Sequence, residues 1–123
     1  MASRFVWVDI PVMNLERAVR FYSALVGMDI AVHETPEFKF ALFPHEGAET
    51  GGCLVPEGDG NAPCANGPLV YVNVEGRMQA AVDAARAQGG GIVEEPHAIG
   101  PHGFRAVIID SEGNRIALHA PKM

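Results

Sequence analysis

Three titratable side chains in this 123-residue chain have the type and the placement for proton transfer. Asp9 and Tyr71 occupy matching positions in two similar stretches, WVDIPV and LVYVNV, and His119 lies in a strand-like segment near the C-terminus. A carboxylate or an imidazole can move a proton near neutral pH, and a phenol can donate a hydrogen bond. Asn73 and Arg115 add two polar side chains to strands otherwise walled by aliphatic residues. Phe5 and Trp7 alternate onto the face of Asp9, which suits a ligand pocket with apolar walls and few polar groups. The competing reading is a sheet face open to water, where polar residues need no function.

Other reactive side chains carry less. Cys53 can act as a nucleophile only with a base beside it, and without one it reads as a buried, unreactive thiol. Cys53 and Cys64 have neither a zinc-ligand spacing nor a CxxC arrangement, and read as free thiols. His33, His45, His97 and His102 fall at or beyond the ends of strands, where a solvated loop residue is expected. His102, within IGPHGF, could instead belong to a loop that covers a pocket mouth. Gly89, Gly90 and Gly91 follow a helix and do not open one, so they indicate no phosphate loop.

The elements that must position these residues follow from periodicity. Residues 5–10 alternate, with Val6, Val8 and Ile10 on a face that should pack against a helix. Pro11 should end regular pairing. Asn14 is placed to cap a helix whose stripe is Leu15, Ala18, Val19, Tyr22, Leu25 and Val26, with Gly27 at its left-handed end. Strands are expected over 28–33, 38–43 and 51–55, and the Pro-, Gly- and Asn-rich segment 57–68 reads as a linker. The chain then begins again. Residues 69–74 form a strand and Met78, Ala81, Val82 and Ala85 a second helical stripe. Strands at 92–95, 104–110 and 115–120 follow, with a long loop at 96–103 and hairpin-turn chemistry at 111–114. The implied fold is one α+β domain of two βαβββ modules, at about 1–56 and 69–123. They should share one curled mixed sheet with the helices on its outer face.

The paired βαβββ halves, the opening WVDIPVMNLERAVRFY and the closing DSEGNRIALHAP resemble the vicinal oxygen chelate superfamily. That group includes glyoxalase I, bleomycin-resistance proteins, fosfomycin-resistance enzymes and extradiol dioxygenases. The resemblance spans essentially the whole chain and is nearest to small proteins related to lactoylglutathione lyase. In the metal-dependent members, four strands supply His, Gln or Glu ligands to a cavity. Carried over position by position, these sites fall on Trp7, Cys53, Leu69 and Ala117. Only Cys53 among them can coordinate a metal. The resemblance therefore implies no metal or other cofactor here, and neither glyoxalase I nor extradiol dioxygenase activity.

His119 shares the face of Ala117, two residues along. Trp7, Asp9, Tyr71, Ala117 and His119 are thus expected to converge on one cavity. Cys53 and Leu69 would sit in its wall, Phe104 near its mouth, and Asn73 and Arg115 among the ligand-binding groups. An acid beside the His119 imidazole would favour its charged form. Cavities in small members of this family usually form between two chains, which implies a two-fold homodimer. Asp9 and Cys53 would come from one half and Tyr71 and His119 from the other.

A net charge of −6 argues against nucleic acid or an anionic membrane as partner. The N-terminus reaches Asp9 too soon for a signal peptide, and no apolar run can span a bilayer, so a cytoplasmic location is expected. The leading function is metal-free binding of a small molecule, similar to bleomycin-resistance proteins. The alternative is a metal-independent isomerase or lyase using Asp9, Tyr71 and His119 as acid–base groups on a small carbonyl compound. A structural role without a ligand is the third.

Overall fold

The structure is a computed structural model that describes residues 3–58 and 60–123. Strand β1 (Trp7–Val12) leads into helix α1 (Leu15–Val26), followed by β2 (Ala31–Glu34), β3 (Lys39–Leu42) and β4 (Gly51–Pro56). The order repeats as β5 (Val70–Asn73), α2 (Met78–Ala87), β6 (Gly91–Ala98), β7 (Phe104–Ile109) and β8 (Arg115–Ala120). This is the α+β fold of tandem βαβββ modules. The modules do not share one continuous sheet, however. Each builds a four-stranded mixed sheet of its own, ordered β1-β4-β3-β2 and β5-β8-β7-β6. Among the described residues no helix is long and apolar enough to cross a membrane.

Alternation in β1 sets which face does what. Ile10 and Val12 are buried and Val8 is half-buried against the helices, while Trp7 and Asp9 turn to the other side. Val6 precedes the strand and is exposed rather than packed on α1. Pro11 does not end the pairing, because β1 runs on beside β4 to the Val12–Pro56 pair. Its carbonyl oxygen accepts from Asn114 Nδ2 at 2.8 Å, so the side on which it lacks an N–H faces away from β4. That contact also occupies the outer edge of β1, where a strand of the second sheet would otherwise have to pair.

Asn14 caps α1, its Oδ1 accepting from the Arg17 amide at 2.9 Å, and Gly27 closes it at φ 72°. Bonds from the Met28 and Ile30 amides to the Ser23 carbonyl and hydroxyl hold the next residues in that closure, so β2 starts later than alternation suggested. The buried stripe of α1 is Leu15, Ala18, Phe21, Tyr22 and Leu25, with Val19 and Val26 only partly covered. Phe21 enters because α1 packs on α2 as well as on a sheet, which widens the buried face. Its ring lies against Gly90, where an added Cβ would meet it at 2.7 Å. In the second module β6 continues through Pro96, which was expected in a loop. It is an edge strand with register shifts on either side of Glu94, and such a strand tolerates a missing donor.

The Asp110–Asn114 turn is where the modules are tied. Asp110, Glu112 and Asn114 are at most 6% exposed, although all three are polar. Glu112 accepts from the Met13 and Asn14 amides at 2.9 Å and from Arg17 Nε and Nη2 at 2.7 and 2.9 Å. Burial pushes the Glu112 carboxyl up. The Arg17 guanidinium, the Asn14 and Met13 amides and the Ser111 hydroxyl outweigh it and hold the group at about 2. Asp110 accepts from the Tyr22 hydroxyl of α1 and from its own turn's Glu112 and Asn114 amides. From the other end, Arg77 donates to the Ala24 and Leu25 carbonyls at 2.9 and 3.2 Å, satisfying the C-terminus of α1. The helices and the helix-facing sides of both sheets form one hydrophobic core.

Candidate functional site

β1 and β5 each pair on one side only, and their free edges border a cleft between the modules. The cleft encloses about 700 Å³. Trp7 and Asp9 line it from β1, Leu69 and Tyr71 from the start of the second module, and Arg115 from β8. The linker closes one side with Asn61, Cys64 and Pro68. The walls are mainly apolar, with a carboxylate, a phenol and a guanidinium as the ionisable groups of its strands.

Asp9 is engaged within its own module. Its Oδ1 accepts from Trp7 Nε1 at 3.1 Å and from the Cys53 thiol at 3.2 Å. Cys53 faces Asp9 because the two are paired across β1 and β4. Burial pushes the Cys53 thiol up to about 11, and the Asp9 carboxylate adds to the rise against an opposing bond from Trp7. Cys53 is therefore a protonated donor near neutral pH, neither a nucleophile nor a thiolate ligand. It lines an adjoining cavity of about 580 Å³ together with Trp7, Phe38 and Phe40. Trp7 reaches both cavities because its ring lies over Gly51, where an added Cβ would come within 2.7 Å of it.

The second sheet gathers a different group. The Tyr71 hydroxyl accepts from Arg105 Nη1 at 2.8 Å. His97 Nδ1 donates to the Glu95 carbonyl at 2.8 Å, which leaves its Nε2 to accept from Arg105 Nη2 at 3.3 Å. The Glu94 carboxylate lies 3.7 Å from the same Nη2. His119 Nε2 donates to the His102 carbonyl at 2.7 Å, and its ring centroid is 6.3 Å from that of Tyr71. His102 thus lies in a 3₁₀ turn, Gly100–His102, tied to β8, and it does not border the cleft.

Of the residues expected around one cavity, the cleft brings together Trp7, Asp9, Leu69, Tyr71 and Arg115. Cys53 lines the neighbouring cavity, and Asn73, Phe104, Ala117 and His119 line neither. Phe104 pairs with Ala120 and shares the alternation of Ala106 and Ile108, so it packs toward the helices rather than at a mouth. Asn73 Oδ1 accepts from the Glu75 amide at 2.9 Å and shapes the turn into α2. Ala117 is fully buried on the strand-paired face opposite Tyr71. Asp9 and His119 stand on separate sheets and make no contact within the chain, so the expected acid–imidazole pair is not formed there. The sequence reading missed Arg105, His97 and Glu94. Taking 96–103 as a loop put His97 outside the sheet, yet a lone arginine inside the apolar run FRAVII was a visible signal.

The family model of the Glyoxalase/Bleomycin resistance protein/Dioxygenase superfamily matches residues 4–118. The chain belongs to this superfamily. Solved structures of the same fold include a glyoxalase/bleomycin resistance protein from Albidiferax ferrireducens T118. It has a TM-score of 0.70 and 23% identity, over 96% of this chain and 98% of that one. A glyoxalase-related enzyme from Fulvimarina pelagi gives 0.70 and 14%, over 96% of this chain and 88% of that one. A glyoxalase I mutant from Zea mays gives 0.69 and 19%, over 94% of this chain and 46% of that one. At these identities the likeness is one of fold. No curated protein matches the sequence.

The residues at this superfamily's metal positions do not fit a metal. Trp7, Leu69 and Ala117 offer no donor atom suited to a divalent ion, and the Cys53 thiol holds its proton for Asp9. Among the described residues no three His, Cys, Asp or Glu side chains gather as a metal site.

Proposed function

We propose that this glyoxalase-superfamily protein binds a small organic molecule, without a metal ion, in the cleft between its two modules. The observation that carries this reading is the cleft itself. Its volume of about 700 Å³ and its mainly apolar walls match the general form of small-molecule sites, which place a few convergent polar groups on an apolar surface. Asp9, Tyr71 and Arg115 are those groups. Two chains would assemble about a two-fold axis, supported by the exposed Trp7 and Phe38 on the open face of the first sheet. Two free cysteines suit a reducing cytoplasm.

Trp7 is the single tryptophan and lies in the cleft wall, so its fluorescence reports occupancy. A screen of small organic molecules should find compounds that change the Trp7 emission saturably and raise the melting temperature together. The Leu69→Phe variant, which narrows the cleft without adding a second indole, should weaken both responses. A ligand that stabilises the protein without touching Trp7 emission, and equally in that variant, would place the site elsewhere. Sedimentation showing only monomer at micromolar concentration would remove the dimer. The isomerase or lyase reading needs a second chain to bring Asp9 and His119 around one substrate. Turnover that His119→Ala abolishes in an intact dimer would favour it.

A further inference from the structure

The linker between the modules is fastened at its ends and pinned once between them. At one end the Glu57 amide donates to the Val12 carbonyl at 2.9 Å, and at the other Val70 enters β5 beside Ile116. Between these points, among the described residues, one hydrogen bond joins the linker to the rest of the chain. The Cys64 amide donates to Asn114 Oδ1 at 3.1 Å. The Gly58–Asn61 pair is a bridge within the linker itself. Residues 65–68 make no hydrogen bond among the described residues. Backbone amides left unpaired in an exposed loop are open to water and to local rearrangement.

Asn66 and Gly67 lie in that free stretch, and both are exposed. The Gly67 nitrogen can close a five-membered ring on Asn66 Cγ. A Cβ on the following residue would crowd this approach, and glycine has none. The surroundings do not crowd it either. Outside its chain neighbours, a Cβ built at Gly67 would meet only Cys64 Sγ, at 3.7 Å. The other four asparagines lack this combination. Asn14 Oδ1 accepts from the Arg17 amide and Asn73 Oδ1 from the Glu75 amide. Asn114 is buried, with its side chain bonded to Cys64, Pro11 and Asp110. Asn61 is exposed, but Ala62 follows it and its backbone is paired with Gly58.

We infer that Asn66–Gly67 is a site of spontaneous covalent modification, at which Asn66 deamidates through a succinimide. The Gly67 nitrogen attacks Asn66 Cγ and forms the ring bond. The Cγ–Nδ2 bond breaks, and the Gly67 amide proton leaves with Nδ2 as ammonia. Water then adds to one imide carbonyl and breaks one of the two ring C–N bonds. Breakage at Cγ leaves an aspartyl residue. Breakage at the backbone carbonyl leaves an isoaspartyl residue, with the chain now running through the former side chain. The backbone carbonyl is the more electrophilic, so the isoaspartyl form is the larger product. Either product adds one negative charge to a chain of net charge −6, and the isoaspartyl form also inserts a methylene into the linker. Gly67 and Pro68 line the cleft, so the change falls on its rim. The site stands independently of what the cleft binds.

The test incubates the full chain in mildly alkaline buffer and follows each asparagine by peptide fragmentation mass spectrometry. Asn66 should show the mass change of replacing NH by O at least about tenfold faster than Asn14, Asn61, Asn73 or Asn114. Most of the product should be a substrate for an isoaspartyl-specific carboxyl methyltransferase. Because the linker is open here, the rate in the folded chain should lie within about tenfold of the rate in urea. Gly67 lies outside the left-handed region and has space beside it, so Gly67→Ala should keep its melting temperature. Its conversion should be slower by about tenfold or more. Conversion of Asn66 no faster than that of Asn61 overturns the inference. Stronger protection in the folded chain than that tenfold limit also overturns it, since the fold would then close the site. An unchanged rate in Gly67→Ala removes the attack by the Gly67 nitrogen. The comparison among asparagines needs no variant, so the inference stays testable if Gly67→Ala folds poorly.

Discussion

The two sheets put different side chains on the same ladder positions. Where the first sheet aligns Asp9, Cys53 and Leu42, the second aligns Tyr71, Ala117 and Val107. Where the first pairs Phe40 with His33, the second pairs Arg105 with His97. In the first half Asp9 is consumed locally by Trp7 and Cys53, and the surrounding face is mainly aromatic and aliphatic. In the second half the Arg105 Nε is left without an acceptor, and polar side chains surround it. A repeated backbone therefore fixes where side chains stand, while their chemistry is free to diverge. The cleft lies where these unlike faces meet, which gives it an acid on one bank and a phenol with a guanidinium on the other.

That comparison presupposes that the halves are held in register, and the turn holding them offers the largest effect. Glu112→Ala leaves Arg17 and two backbone amides without their acceptor, and should destabilise the protein by about 3–5 kcal/mol in urea unfolding. The same group sets acid sensitivity. Its folded value of about 2 lies below the ordinary 4.5, so its contribution is present above pH 4.5 and is lost as pH falls toward 2. The shift corresponds to about 3 kcal/mol. Glu112→Gln should start lower and lose less between those pH values. An unchanged acid profile would mean that the carboxylate is not what joins the modules.

The next effect separates the thiols. With a value of about 11, Cys53 is roughly 0.1% thiolate at pH 8, against about a quarter for an ordinary thiol. Iodoacetamide followed by peptide mass spectrometry should therefore modify the exposed Cys64 about a hundred times faster than Cys53. Comparable rates would show that the first half's face is wetter and less closed than its contacts imply.

A smaller pair of substitutions probes the aligned positions directly. Asp9→Asn weakens the acceptor of both Trp7 and Cys53 and should cost about 1 kcal/mol, with a change in Trp7 emission. Tyr71→Phe, at the matching position but half exposed, should cost no more than about 0.5 kcal/mol. A larger loss for Tyr71→Phe would reverse the assignment of local consumption to the first half. The smallest effect is expected from chelator. Treatment with EDTA should leave the melting temperature within about 1 °C, since removing a bound ion would take its linkage stabilisation with it. A clear fall, with zinc, nickel or iron found near one per chain, would restore a metal to one half.

What local rules govern was legible in the residues. The period of two in β1, β5 and β8 comes from the pleat, and the Asn14 cap and Gly27 terminus come from unsatisfied amides and a left-handed dihedral. Each of these depends on neighbours a few positions away. The module order and the placement of Trp7 and Asp9 opposite the helix side followed from them.

Only the tertiary structure decided how distant segments meet. It put Phe21 between the helices, drew β6 through Pro96, and turned Asp110–Asn114 from a plain hairpin turn into the buried joint of the modules. It also kept the two sheets apart, with Asn114 on the edge of β1, and so left a cleft where a continuous sheet was expected. Asp9 and His119 were separated for the same reason, while Arg105 was brought to Tyr71. Side-chain alternation tells which face a residue takes, but the partner across that face is set by pairing between strands far apart in the chain, and no local period encodes it.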